Sequence, residues 1–230
     1  MNEAFERLIP LYGQDALMQL KEKTVMIIGL GGVGATAVEA LVRIGVGRLI
    51  LVDGDVVQKS NLNRQLLALH STLGKPKVEV AKIRMQDINP EVKIITHHAF
   101  YDDTKHEWLD DKLDLVLDAF DDYRLKVDLI KACKSKQIPS LHVVGAGFRI
   151  RSNQAQYGDL FKMTHDKLAS KMRKLLRKAG INQEVDVIYS QEPINRDKDF
   201  KTIASSPFSP PSLGLFAAEK AVEILLRNDA

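Results

Sequence analysis

The sequence predicts an α/β fold: a doubly wound, mainly parallel sheet with helices on both faces. Three observations carry this. Residues 24–34, T-V-M-I-I-G-L-G-G-V-G, set a continuous apolar run, Val25, Met26, Ile27 and Ile28, directly before a glycine cluster. A run without polar alternation suits a strand covered on both faces. From residue 24 to residue 145, strand-length apolar runs alternate with helical patterns, as in parallel strands joined by crossover helices. Asp53 closes the second run about 20 residues beyond Gly34, where Rossmann-like sheets place a ribose-binding carboxylate.

The elements follow in order. Leu8, Leu11, Leu17 and Leu20 recur at roughly helical spacing, interrupted by Pro10 and Gly13, so two short helices precede the first strand. Gly29, Gly31, Gly32 and Gly34 permit a tight turn and a close approach of ligand to backbone. The helix opening at Val33 directs unpaired N–H groups at an anion above the strand. A turn that serves packing alone is the alternative. Val38, Leu41, Val42 and Ile44 give this helix its apolar face, and Gly45 suits a left-handed cap. A second strand is expected at 49–52 and a helix at 76–88, with Pro76 in its first turn and Val78, Ala81, Ile83 and Ile88 among its apolar positions. Strands follow at 92–97, 113–117 and 141–144. Adjacent His97 and His98 face opposite sides of a strand and cannot share a metal; they read as structural. Helix 123–136 buries Leu125, Leu129, Ile130 and Cys133, which makes that cysteine core filler rather than nucleophile.

The glycine turn and Asp53 serve NAD and ATP equally well, and the next stretch separates them. Residues 53–65 read D-G-D-V-V-Q-K-S-N-L-N-R-Q, and Lys77 follows. Hydride transfer has little use for extra cations and amides beside the turn. Triphosphate cleavage does, because negative charge shifts onto the departing pyrophosphate, where Arg64 and Lys77 can stabilise it. Asn61, Asn63 and Gln65 supply neutral hydrogen bonds. The alternative is a polar loop in which Ser60 or Asn61 caps a helix. Asp118, Asp121 and Asp122 fall just past the fourth strand, at the sheet edge where ligands gather and a carboxylate can hold phosphate-bound magnesium. Solvated or capping acids are the other reading.

These motifs, G-x-G-G-V-G, then D-x-D-x-V-x-x-S-N-L-N-R-Q, then a lysine, resemble the ThiF/MoeB/HesA family, relatives of ubiquitin-activating enzymes that adenylate carboxylates with ATP. The resemblance implies that Asp53 binds the ribose, that Gly32, Ser60, Asn61, Arg64 and Lys77 bind the phosphates, and that Asp121 is the magnesium and catalytic aspartate. The implied ATP site also takes in Gly29, Gly31, Gly34, Asp55, Asn63, Gln65 and Asp122. E-R-L-I-P-L-Y-G-Q-D-A-L resembles the family's N-terminal helix, which implies that Arg7 reaches the partner's phosphates in a homodimer.

Beyond Gly147 the pattern changes. Residues 166–180 place Leu168, Met172, Leu175, Leu176 and Ala179 on one helical face, with Lys167, Lys171, Lys174 and Lys178 in a stripe and Arg173 and Arg177 beside it. Like charges at i, i+4 weaken a helix unless they are solvated or meet a polyanion, so a solvated face and contact with RNA phosphates both remain. This region, with V-D-V-I-Y-S-Q-E-P after it, resembles the TcdA (CsdL) branch, the tRNA threonylcarbamoyladenosine dehydratases. Lys167 stands where a proline is common there, and Q-E-P-I replaces T-E-P-P. The branch implies ATP and Mg2+ as cofactors, tRNA as substrate, and activation of a threonyl carboxylate that a substrate nitrogen then attacks. It leaves room for a sulfur-acceptor or cysteine-desulfurase protein. The whole chain, 1–230, reads as one domain with a nucleotide-binding half at 24–145 and a substrate and dimer half at 146–230.

Composition narrows the alternatives. The 230 residues carry a net charge of only +3, so partners follow from local clusters of charge. A single cysteine excludes an intrachain disulfide and a Cys-rich zinc site and favours a reducing compartment. With no signal segment and no apolar run of membrane-spanning length, the expectation is a cytoplasmic protein without membrane contact. Three activities stay open: tRNA dehydratase, adenylyltransferase for the C-terminal glycine of a ubiquitin-like sulfur carrier, and non-catalytic nucleotide-dependent scaffold. An NAD-linked oxidoreductase is a distant fourth.

Overall fold

The computed structural model describes residues 3–110, 112–163, 167–194 and 203–227, apart from the side chain of Lys167. Among the described residues, seven strands form one sheet: β1 (Thr24–Ile28), β2 (Arg48–Val52), β3 (Lys93–His97), β4 (Leu115–Asp118), β5 (Ser140–Val143), β6 (Ala155–Asp159) and β7 (Asp186–Ser190). Their order is β3-β2-β1-β4-β5-β7-β6, and every pairing is parallel except that of β6 with β7. The mainly parallel, doubly wound sheet expected from the sequence is therefore present. The antiparallel edge was not foreseen, because β6 (A-Q-Y-G-D) is half-buried along its whole length and shows no apolar run.

Alternate residues of β1 feed separate cores, as the period of a strand requires. Val25 and Ile27 pack under α2 (Gln14–Glu22), α3 (Gly34–Ile44), α4 (Lys77–Ile88) and α7 (Ser209–Arg227), while Met26 and Ile28 pack on the face covered by α5 (Tyr123–Ser135). The last core joins α5 to α6 (Lys167–Lys178). The chain enters through a 3-10 helix, Glu3–Leu8, and α1 (Ile9–Tyr12), which stops at Gly13. Gly45 adopts the left-handed cap, with φ 99°. Two local expectations and one alternative reading fail. Pro76 precedes α4 instead of sitting inside its first turn, with ψ 131°. Ile83 is exposed, and Val80 and Met85 turn inward in its place. Ser60 and Asn61 cap no helix; they lie within a 3-10 turn, Lys59–Asn61, which Gln58 precedes as cap.

Candidate functional site

The sheet order reverses between β1 and β4, and a cavity of about 370 Å³ opens above the C-terminal ends of the strands there. This is the crevice in which open α/β sheets bind ligands. Its floor is the glycine turn. Gly29 has φ 94°, and a Cβ on it would lie 2.9 Å from the Ala119 carbonyl carbon and the Phe120 nitrogen. A Cβ on Gly34 would lie 1.8 Å from the Gly29 oxygen. Gly34 and Gly32 thus serve close packing of the turn and lie outside the cavity wall, while Gly29 and Gly31 line it.

The polar wall comes from the loop after β2. Asp53 is buried, and its carboxylate accepts from the Leu30 N–H at 2.6 Å and the Asp55 N–H at 2.7 Å. Lys77, 4 % exposed at the head of α4, reaches into the wall and donates to Asp55 at 2.8 Å, with its ammonium 4.0 Å from Asp53. Arg64 lines the cavity while donating to the Ser60 carbonyl at 2.9 Å and the Asn63 side chain at 2.8 Å. Ser60 and Asn63 stay outside the wall; Asn63 donates to the Ser205 carbonyl. Asn61 lines the cavity, is buried, and accepts from the Gln58 N–H. Gln65 completes this side.

Opposite lie Asp121 and Asp122, both exposed and both lining the cavity. Asp122 caps α5 by accepting from the Arg124 and Leu125 N–H groups. Asp121 has no such duty among the described residues, which leaves its carboxylate free for a cation. No group of three or more His, Cys, Asp or Glu among the described residues is arranged for a metal, and Asp121 fits only the lone-carboxylate role that magnesium takes when phosphates supply its other oxygens. Asp118, expected past the strand, is the last residue of β4 and fully buried.

Sequence reasoning missed the apolar wall, formed by Phe100, Tyr101, Phe120 and Leu125. Phe100 is exposed and rests on Gly54, where a Cβ would lie 2.7 Å from the ring. The signal was Gly54 inside D-G-D, which admits an aromatic from the loop after β3. Burial pushes the Tyr101 phenol above its ordinary pKa, and its hydroxyl has no partner among the described residues.

The remaining candidates lie outside the cavity. Arg7 is exposed on the first 3-10 helix. On α6, Lys171, Lys174, Arg177 and Lys178 are exposed. Lys171 holds its ammonium 5.5 Å from the Tyr123 ring centroid, and Arg177 lies 5.5 Å from that of Phe161. Arg173 departs from the expected stripe: it turns inward and donates to the carbonyls of Leu160 and Met163. Ala179 is exposed instead of completing the apolar face, and the side chain of Lys167 falls outside the described residues. Glu192, in the divergent tail motif, accepts from the Ile150 and Arg151 N–H groups at 2.8 Å each, so this motif clamps the loop after β5.

The ThiF family model matches residues 5–225. The chain belongs to the ThiF family. Among ThiF relatives, a Bacillus subtilis protein named tRNA threonylcarbamoyladenosine dehydratase is 44% identical over 181 residues, covering 78% of this chain and 71% of its own length. A Haemophilus influenzae protein of the same name is 37% identical, covering 80% of this chain and 74% of its own. The crystal structure of Escherichia coli TcdA in complex with ATP superposes with a TM-score of 0.91 at 31% identity, covering 98% of this chain and 94% of that one. The ThiF assignment agrees with the glycine turn and the D-x-D loop meeting over the reversal of the sheet.

Proposed function

We propose that this chain is an ATP-dependent tRNA threonylcarbamoyladenosine dehydratase. The observation that carries the reading is the convergence of Arg64, Lys77 and Asp121 around one glycine-floored cavity, in a chain whose full-length likeness is to dehydratases of that name. The ribose would lie against Asp53, whose two oxygens each keep a lone pair beyond the backbone bonds they accept. The base would lie against the apolar wall of Phe100 and Tyr101.

When bound, ATP would activate the threonyl carboxylate by transferring its adenylyl or phosphoryl group. Arg64 and Lys77 act on the charge that develops on the departing oxygens. Because both are held by neighbours before substrate arrives, little reorganisation is needed at the moment of reaction. Asp121 would hold Mg2+, which neutralises phosphate charge. The nucleophile that closes the ring is a substrate nitrogen, and the chain's part is to hold it against the activated carbonyl. Buried Cys133, its thiol pushed up to about 12 by burial against the pull of a Ser140 hydrogen bond, is unsuited to that role.

In this reading residues 146–230 form the half that meets tRNA and the partner subunit. The exposed lysines of α6 would meet RNA phosphates, and Arg7 would reach the partner's cavity in a homodimer. No helix among the described residues is long and apolar enough to cross a membrane. A cytoplasmic setting and docking of a sulfur-transfer protein belong to the same proposal. The test is mass analysis of tRNA nucleosides after incubation with ATP and Mg2+: threonylcarbamoyladenosine loses one water. A second reading has support in a Haemophilus influenzae molybdopterin-synthase adenylyltransferase, 35% identical over 165 residues. ATP–pyrophosphate exchange stimulated by a carrier protein, with tRNA left unchanged, would replace the first reading with this one.

A further inference from the structure

A fully buried charge network lies beneath the cavity and has no part in the reaction described above. Asp118 and Lys126 are 0 % and 1 % exposed. The Lys126 ammonium donates to Asp118 Oδ1 at 2.6 Å, and the Phe120 N–H approaches the same oxygen at 3.3 Å. The other oxygen, Oδ2, meets His142 Nδ1 at 2.9 Å. The carboxylate can only accept, so Nδ1 carries the proton; Nε2 then meets the Ser140 hydroxyl at 3.0 Å.

The network has two arms. One runs sideways into the sheet through His142 on β5. The other runs upward into the turn that carries Asp121: Lys126 lies one turn into α5, and its ammonium sits 4.8 Å from the centroid of the Phe120 ring. Phe120 is the residue before Asp121, and its backbone rests on Gly29. The turn is thus held from below by Asp118 and Lys126 and from the side by the glycine floor.

Buried ion pairs are poor sources of stability, since apolar replacements of similar volume are often as stable. A buried pair directed at one turn is better explained by what it orients. We infer that Lys126 is a positioning residue: by gripping Asp118 and the face of Phe120 it fixes the height and direction of the 119–122 turn, and so of the Asp121 carboxylate over the cavity. This inference rests on the reading of Asp121 as a group acting at the ATP phosphates.

The test compares Asp118→Asn/Lys126→Met, which removes both charges together, with Lys126→Gln and with His142→Asn, which cuts only the sheet arm. Thermal melting, calorimetric ATP affinity and steady-state tRNA cyclisation are measured on each. A displaced catalytic group costs up to about 100-fold in rate. The expected result for the double variant and for Lys126→Gln is a folded protein whose ATP affinity stays within about threefold and whose kcat falls at least tenfold. His142→Asn melts earlier with kcat retained. A folded double or Lys126→Gln variant with kcat within about twofold of wild type overturns the positioning role. So does failure of both to fold, which makes the network a support of the core alone. If wild-type protein forms no cyclised nucleoside, the functional reading falls and takes this role with it; active wild type beside equally active variants removes only the role of Lys126.

Discussion

Replacing Lys77 with methionine separates the proposed catalytic use of its ammonium from the structural one. The side chain is buried in the cavity wall and neutralises Asp55 at 2.8 Å, with Asp53 at 4.0 Å. Breaking a fully buried pair costs about 3–5 kcal/mol. Asp55 is 46% exposed and Asp53 keeps two backbone N–H bonds, so about 1–2 kcal/mol is the expected loss of stability here. For a chain of this length that lowers the melting temperature by about 2–8 °C. The catalytic loss is larger, because a preorganised donor acting on developing charge is worth about 10²–10³ in rate. Adding Asp55→Asn removes the unpaired carboxylate. The double variant should regain its melting temperature and none of its turnover. Differential scanning calorimetry and single-turnover cyclisation of threonylcarbamoyladenosine tRNA read the two quantities. A Lys77→Met protein that turns over within about threefold of wild type would refute the assignment of this ammonium to the phosphates, as would turnover that returns together with stability.

Other outcomes follow from the same geometry. Gly34→Ala should abolish ATP binding by calorimetry, since its Cβ would fall 1.8 Å from the Gly29 oxygen, whereas Gly32→Ala, whose nearest clash is 3.1 Å from the Pro210 Cβ, should retain it within about tenfold. Cys133 should resist iodoacetamide at about pH 8 in the native protein and react once guanidinium unfolds it, because a thiol pushed up to about 12 is almost wholly protonated there. Labelling of the native protein at the rate of a free thiol would contradict its burial. Charge reversal at Lys171, Lys174 and Lys178 should weaken tRNA binding and flatten its salt dependence by roughly 0.7–0.9 per lost phosphate contact. Arg173→Ala should instead lower the melting temperature and leave the salt slope in place, because its guanidinium is spent on the carbonyls of Leu160 and Met163.

The nucleotide-binding half of the fold was legible chiefly where burial on both faces left an uninterrupted apolar run. β1, β2 and β4 show one and lie inside the sheet, whereas His142 breaks the run in β5, and β7 (D-V-I-Y-S), also inside the sheet, was not foreseen. β6 was invisible because an edge strand with a half-buried surface has no such run and is defined by its pairing with β7, across a separation that local pattern does not encode. The polar half of the cavity was legible for a similar reason: D-x-D, Arg64, Gln65 and Lys77 are a concentration of donors and acids that a solvated loop does not require. Its apolar half was not, since Phe100, Tyr101 and Phe120 look like any core residues until the chain folds. Arg173 shows the limit from the other direction. Helical spacing places it beside the lysine stripe, and only folding brings it to the carbonyls of Leu160 and Met163, at the start of the 3-10 turn Leu160–Lys162 and just past it, which draw it inward.

The arrangement of α5 and α6 gives the proposed reaction a means of bringing two polyanions to one edge of the sheet. ATP phosphates and tRNA repel each other, so a site that joins them needs cations reaching from one to the other. α5 begins at Tyr123, immediately after Asp122 of the cavity wall, and α6 packs beside it through Val127, Ile130 and Met172. The Lys171 ammonium lies 5.5 Å from the Tyr123 ring centroid, while Arg124 holds its guanidinium 5.8 Å from the same ring. Cation–π contact costs a surface lysine little of its charge and much of its freedom. Among the described side chains of α6, Lys171 is thereby the cation held against Tyr123, the residue after Asp122 of the cavity wall. Replacing Tyr123 with leucine frees Lys171 without removing a charge. In the proposed reaction this should raise KM for tRNA several-fold while KM for ATP stays constant, a split measured by steady-state cyclisation with each substrate varied in turn. Equal changes in both constants would locate the effect in the α5 cap at Asp122 and remove Lys171 from the path between the two substrates.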